Sequence, residues 1–248
     1  MTSAEAHGRA LWRSSSIFAV TSDARAPIEI LSRTLTRAAA AFAVAATAVA
    51  ASVTAPQLVP AAQAEPSCPD IEVVFARGTD EAPGLGRVGG AFVDSLRGKV
   101  GGRSVGAYAV AYPATFDFLA AAGGANDASV HIQWMVTNCP ATRLVLGGYS
   151  QGAAIVDVLA AVPFPAVGFN APLPPNVPEH IAALAVFGNP TTKVGLPLTV
   201  SPVYGTRSID LCNGGDPVCS GGDDIAAHSN YGSAGFTDQA ATFVAGLV

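Results

Sequence analysis

Charge is scarce in this 248-residue sequence. Only 12% of the residues are Asp, Glu, Lys or Arg, while 50% are hydrophobic. A disordered chain has the reverse balance, so disorder is excluded. Basic residues are the rarer sign, 13 Lys and Arg against 18 Asp and Glu, for a net charge of −5. Without a basic patch there is nothing to neutralise phosphates, and nucleic acid is excluded as a partner. Only four Cys and four His are present, none at a Cys-x-x-Cys or His/Cys spacing that suits zinc, so no metal and no cofactor is expected. No segment repeats at a period of about 20–50 residues, which excludes solenoids and propellers. The 26 Gly and 18 Pro are scattered without period, so neither collagen nor a low-complexity linker fits.

What is present divides near Ala64. Five of the basic residues and three of the acidic ones precede Glu65, so residues 65–248 carry eight and fifteen, a net −7. Arg33 and Arg37 stand just before an uncharged, mostly Ala and Val run over 38–55, followed by Pro60 and the triplet Ala62-Gln63-Ala64. A basic region, an apolar stretch and a small-x-small site make a secretory signal peptide. A membrane anchor is the competing reading, since the run is as long as a short span. Alanine partitions weakly into hydrocarbon, however, and no basic stop-transfer cluster follows. Residues 1–32 are too long and mixed for the basic region alone, and an internal translation start is an alternative for them. The expected organisation is therefore 1–64 as signal peptide and N-terminal extension, and 65–248 as one exported domain. That domain would be secreted, extracellular or cell-wall associated, with no retained span after cleavage near Ala64. All four Cys fall in it, and an even count in an exported chain argues for two disulfides, with three connectivities open.

Apolar, β-branched runs at 71–76, 105–112, 143–148, 181–187 and 203–211 read as strands. Runs with helical period at 90–100, 127–137, 152–162 and 237–247 read as helices, the second with Val130, Trp134 and Met135 inward. Strands that are apolar along their whole length and alternate with helices make a mainly parallel sheet covered on both faces. The fold class is α/β, three-layered, with about five strands.

Gly148-Tyr149-Ser150-Gln151-Gly152 matches G-x-S-x-G, and so does Gly102-Arg103-Ser104-Val105-Gly106. Context separates them. A nucleophile elbow is a strand-to-helix turn. Ser150 sits between a predicted strand and a predicted helix, where a helix N-cap is the bland alternative. Ser104 precedes its strand and reads as a solvated turn. A serine hydroxyl needs a base. Only His180 and His228 follow Ser150, and His180 reads as a surface residue before a strand. In the order nucleophile, acid, histidine, the acids available to His228 are Asp210, Asp216, Asp223 and Asp224. Asp157, on the helix after Ser150, faces the wrong way. Asp216 is preferred. It lies in Cys212-Asn213-Gly214-Gly215-Asp216-Pro217-Val218-Cys219, and a disulfide across that short loop would fix its carboxylate. Asp210 ends a strand, and Asp223 and Asp224 sit too close to His228 to approach its Nδ1 easily from the other side, so they read as solvated loop charge. An oxyanion hole needs two donors. One is the amide of Gln151. The other is Thr79, after the first strand, where a plain strand-end turn is the alternative.

Phe75-Ala76-Arg77-Gly78-Thr79, Gly148 to Gly152, Cys212 to Cys219, Ala227-His228 and Tyr231-Gly232 together resemble the cutinases, in particular the exported cutinase-like proteins of mycobacteria and related actinobacteria. The resemblance spans nearly all of 68–247. It implies a compact α/β-hydrolase without a full lid that acts on carboxylic esters. Ser150 would be nucleophile, Asp216 acid and His228 base, and Thr79 and Gln151 would form the oxyanion hole. It also implies the pairings Cys68–Cys139 and Cys212–Cys219. The oxyanion position is commonly Ser in fungal cutinases, so the Thr79 methyl narrows that site. The expected function is a secreted serine carboxylesterase of cutinase or short- to medium-chain lipase type. Its partner is an ester or lipid substrate, and it is expected to be a monomer. An acyltransferase, thioesterase or phospholipase on cell-envelope lipids is the enzymatic alternative, and a catalytically silent surface-binding protein the non-enzymatic one. The segment 112–119, with Ile225, is the expected acyl groove, with one of Phe116 and Phe118 facing it. The Pro-rich run 163–178 has no assigned role.

Overall fold

The computed structural model describes residues 67–248. The signal-peptide and cleavage readings fall on residues outside that range. Five strands form one sheet: β1 (Ile71–Ala76), β2 (Val105–Ala109), β3 (Arg143–Tyr149), β4 (Ile181–Phe187) and β5 (Ser208–Leu211). The order is β2-β1-β3-β4-β5 and every pairing is parallel. Parallel neighbours require crossovers, and helices supply them. These are α1 (Gly86–Arg97), α2 (Ala121–Asn138) and α3 (Gln151–Ala161), followed by the short α4 (Ile225–Ser229) and the closing α5 (Phe236–Ala245).

The central strands are buried on both faces. β4 is buried at all seven positions, and β3 at all but Arg143. One face packs against α2 and α3 through Ile132, Met135, Ile155 and Leu159. The other packs against α1 and α5 through Phe92, Leu96, Ala240 and Val244. Phe75, Phe92 and Phe187 meet in this second layer with centroids 5.9–6.4 Å apart, within the range of favourable ring contacts. The strand order reverses between β1 and β3. In open parallel sheets that crevice, outside the carboxyl ends of the strands, is where ligands bind.

Several boundaries differ from the sequence reading. α1 begins at Gly86, through glycines that carry no helical signal. β2 ends at Ala109, and Tyr112 lies beyond it. α2 is six residues longer at its start than the periodic run. It turns Ala125, Ala128, Ile132 and Met135 inward, at spacings of three and four. Val130 and Trp134 are therefore outside, 61% and 46% exposed. Trp134 instead stacks on His131, and His131 on Tyr108 at 3.6 Å between centroids. β5 is only four residues long, after a 3-10 turn at Gly205–Arg207. α4 has no counterpart in the sequence reading.

Candidate active site

Ser150 follows the last residue of β3 and caps α3. It adopts φ 56° and ψ −118°, a region that costs a non-glycine residue about 1–3 kcal/mol. The turn exists because its neighbours are glycines. A Cβ on Gly148 would stand 2.2 Å from the Gly152 carbonyl oxygen, and one on Gly152 would stand 1.9 Å from that of Ala76. Backbone pieces from β1, β3 and α3 thus touch where any side chain would separate them. The elbow lifts the Ser150 hydroxyl above the sheet, beside the reversal in strand order.

His228 lies on α4, which Asp224 starts by accepting a 2.8 Å bond from the Ala226 amide. Its Nε2 is 2.9 Å from Ser150 Oγ, and its Nδ1 is 2.8 Å from Asp216 Oδ2. Asp216 is fully buried, on the loop between β5 and α4 that Cys212–Cys219 closes. Its Oδ2 also accepts from the Tyr231 hydroxyl at 2.6 Å, and its Oδ1 from the Val218 amide at 2.7 Å. Burial alone would raise the Asp216 pKa. The bonds from Tyr231, His228 and Val218 outweigh it and hold the carboxyl below its ordinary value. Tyr149 braces the histidine from the other side. Its ring lies 5.0 Å from the imidazole and its hydroxyl donates to the His228 carbonyl at 2.7 Å. Burial pushes the Tyr149 hydroxyl up to about 12, so it stays a donor.

The loop after β1 carries Thr79. Arg77, 3% exposed, donates to the carbonyls of Glu81 and Tyr112, each at 2.8 Å, and sits over the Tyr112 ring. The Tyr112 hydroxyl donates back to the Arg77 carbonyl. Glu81 accepts from the amides of Gly78 and Arg87 at 2.8 and 2.9 Å. A buried guanidinium spent on carbonyls is costly unless it fixes geometry, and here it fixes residues 77–81. Thr79 Oγ1 donates to Gln151 Oε1 over 3.4 Å, and Gln151 Nε2 donates to the Thr115 carbonyl at 2.9 Å. The Gln151 amide belongs to the first turn of α3, where N–H groups have no intrahelical partner. The Gln151 side chain is what meets Thr79.

The structure thus brings together Ser150, His228, Asp216, Thr79 and Gln151. It leaves the other candidates apart. Ser104, on an exposed loop, donates to Asp70 at 2.7 Å. His180 is half-buried before β4, with its carbonyl bonded to the Leu144 amide. Asp223 is exposed. Asp157 and Asp210 meet through Asn189, whose Nδ2 donates to both at 3.2 and 2.9 Å. Phe116 and Phe118 are both mostly exposed. Arg77, Tyr149 and Tyr231 lie inside the quoted motifs without a role assigned to them there, and Glu81 lies outside any motif. Tyr231, three residues after His228, was legible only as part of a motif. A cavity of about 730 Å³ lies along the far half of α3, walled by the Pro-rich run and residues 191–204; neither Ser150 nor His228 lines it. The hydrogen-bond relay, rather than cavity size, marks the site.

Both disulfides are present, Cys68–Cys139 and Cys212–Cys219, as suits an oxidising, extracellular setting. No helix among the described residues is long and apolar enough to cross a membrane.

Comparison with known proteins places the chain in a family. Phospholipase Culp4 of Mycobacterium tuberculosis is 58% identical over 194 residues, 78% of this chain and 84% of that protein. Carboxylesterase Culp1 of the same organism is 50% identical over 193 residues, 75% and 84% of the two chains. Among solved structures, a Trichoderma reesei cutinase in complex with a phosphonate inhibitor superposes with a TM-score of 0.60 at 34% identity, covering 73% of this chain and 77% of that one. An acetylxylan esterase superposes at 0.63 with 27% identity, covering 73% and 99%. The cutinase family model matches residues 67–248, the whole of the described fold, and the chain belongs to the cutinase family.

Proposed function

We propose that this carboxylic ester hydrolase works by a Ser150–His228–Asp216 triad with an acyl-enzyme intermediate. The observation that carries the reading is the continuous relay of 2.9 and 2.8 Å from a strained, half-buried serine through one imidazole to a buried carboxylate. His228 Nε2 takes the hydroxyl proton as Ser150 Oγ attacks the ester carbonyl carbon. Asp216 holds Nδ1–H, which leaves Nε2 as the acceptor, and stabilises the imidazolium that forms. The amides of Thr79 and Gln151 receive the oxyanion. Thr79 Oγ1 adds a third donor, since its 3.4 Å bond to Gln151 is long and a developing oxyanion is the stronger acceptor. On collapse, His228 returns the proton to the leaving alkoxide oxygen. Water then attacks the acyl-serine by the same route and releases the acid.

The domain, 65–248, acts after export, with 1–64 removed by cleavage near Ala64, and as a monomer. N-terminal sequencing of the secreted chain, expected to begin at Glu65, and its mass in solution check this. The relay is tested by a chromogenic ester assay with a serine-directed phosphonate: stoichiometric labelling of Ser150 with loss of hydrolysis is the expected result. Phospholipid esters are the second reading, favoured by the 58% identity to a protein named a phospholipase. The relay serves both substrates, and a silent surface-binding protein gains nothing from a strained serine so placed.

A further inference from the structure

The relay gives no role to the chain that follows α3. That chain runs back toward the start of α2 and reverses at Ala166–Phe169, where the two residues exchange backbone bonds of 2.9 and 2.8 Å. The two residues between them, Val167 and Gly168, both have positive φ, 45° and 81°. A tight turn of this kind asks for Asn-Gly or Gly-Gly. A β-branched side chain in the left-handed region is a genuine outlier. Burial does not offset the strain, because Val167 is 80% exposed. Asn126 of α2 pins the turn instead. Its Nδ2 donates to the Gly168 carbonyl at 2.8 Å, and its Oδ1 accepts from the amides of Asn170 and Ala171 at 2.7 and 3.1 Å. Strain of this kind, held by surrounding structure, points to function.

Beneath the turn lies a cavity of about 280 Å³. Its floor is α3. Ala154, Val158 and Val162 line it, and they follow Ser150 at four-residue steps, so the floor is one face of the helix that the nucleophile caps. At 1.5 Å per residue, Ala154 lies about 6 Å and Val158 about 12 Å along the helix from Ser150. Its lips are exposed apolar side chains, Phe118 and Leu119 on one side and Val167 on the other. Gln151, next to the nucleophile, ties the first lip down through its bond to Thr115. None of Ser150, Gln151 and Thr79, nor any residue of the loops that carry Asp216 and His228, lines this space, so a chain bound to Ser150 reaches it only by passing along the first turn of α3.

We propose that this cavity is the acyl-chain slot of the enzyme, and that Val167 is a specificity-determining lip. The inference rests on the esterase reading above. The acyl chain, rather than the alcohol, belongs there because His228 must protonate the leaving oxygen. The alcohol therefore sits on the His228 side, and the acyl chain extends the other way, along α3. The floor from Ser150 to Val158 is about 12 Å long, which suits straight-chain medium acyl esters, octanoyl to decanoyl, and each buried methylene raises kcat/KM about fourfold.

The test is an acyl-length profile, acetyl to hexadecanoyl with one chromogenic alcohol, for the wild-type domain and three variants. Ala154→Phe truncates the profile at a shorter acyl chain than Val158→Phe, because it blocks the floor nearer Ser150. Val167→Asn suits the turn better, so its melting temperature rises, while its decanoyl-to-butanoyl ratio of kcat/KM falls about tenfold as apolar contact with two or so methylenes is lost. A lip with a merely structural role would not separate these two readouts. Truncation at one common length, an unchanged profile in folded variants, or truncation seen with acetate esters of lengthening alcohols instead would overturn the slot. No hydrolysis at any length by the wild-type chain would overturn the esterase reading, and the slot with it.

Discussion

Tyr231 and His228 bond to the same oxygen of Asp216, the hydroxyl at 2.6 Å and the imidazole at 2.8 Å. The tyrosine is fully buried, and the combination of burial and the adjacent carboxylate pushes its own ionisation far above the ordinary value. It is thus a permanent donor that keeps a desolvated carboxylate ionised and aimed. It also accepts from the Asn213 amide at 3.1 Å, so it ties the acid loop to the histidine helix.

Tyr231→Phe should therefore weaken both fold and activity. A hydrogen bond to a charged group contributes about 1.5–3 kcal/mol. The sign with pH follows from the lowered Asp216 pKa. Its stabilising effect is present above the unfolded carboxylate value and is lost as pH falls through the folded one. The variant has less of this effect to lose. Denaturation at pH 7 and at pH 3 should show a stability gap from wild type that shrinks at the lower pH. It should not vanish, because the Asn213 amide has lost its acceptor. A gap independent of pH would mean that Tyr231 acts through packing alone.

Substitution of the relay itself should separate roles by size. Ser150→Ala and His228→Ala should each remove nearly all hydrolysis, and the double variant little more, since the members act as a unit. Asp216→Asn should fold and yet lose about four orders of magnitude in kcat, because the wrong tautomer of His228 is then favoured. Asp223→Asn and Ser104→Ala should stay within about twofold of wild type in the same ester assay. If Asp223→Asn matched the damage of Asp216→Asn, the choice of acid would have to be withdrawn.

Much of this was legible in the residues, and the exceptions share a cause. Strand β4 carries an unbroken apolar run, β1 and β3 carry runs with a single charge each, Glu72 and Arg143, and the elbow and the acid loop carry spacings that mean something locally. The direction of Val130 and Trp134 was not legible, because α2 starts in an Ala-Gly stretch without amphipathic signal and its phase is set by Ala125 and Ala128, small residues that count for little in a periodicity. α4 is five residues long, too short for any period to declare it. The braces Tyr149, Tyr231 and Arg77 act across 15–79 residues of sequence, and only tertiary packing reveals their partners.

Reduction of the two disulfides should have different consequences. Cys212–Cys219 spans seven residues around Asp216, so its loss frees the carboxylate more than it frees the chain. Cys68–Cys139 spans 71, and loop closure of that length is worth about 4 kcal/mol in the chain-entropy treatment. Cys212→Ser with Cys219→Ser should cost mainly kcat, and Cys68→Ser with Cys139→Ser mainly thermal stability. The paired measurement of melting temperature and kcat in both double variants checks this. The reverse pattern would detach the small loop from Asp216.

The carboxylate network on the far side of α3 makes stability depend on pH. Burial raises Asp157 to about 6, with a bond from Thr191 opposing the rise and the nearby Asp210 adding to it. Asp157 accepts from the Thr191 hydroxyl at 2.7 Å and from Asn189 at 3.2 Å. A raised folded-state pKa means that the folded chain binds the proton more tightly than the unfolded one. Stability from this group is therefore greatest below the ordinary carboxylate value and declines as pH rises from about 4 to about 6. Two pKa units correspond to an upper bound of about 3 kcal/mol. Asp157→Asn removes the charge and keeps the network. Its amide oxygen can accept from Asn189, and its NH2 can donate to Thr191 Oγ1, whose own proton then turns to Asn189 Oδ1, already 3.0 Å away. The variant should thus match wild type near pH 4 and exceed it in stability at pH 8, with hydrolysis intact, since Asp157 stands apart from the Ser150 relay. Denaturant midpoints across pH 4–8 read this out, and a variant less stable than wild type at pH 8 would show that the network needs the negative charge.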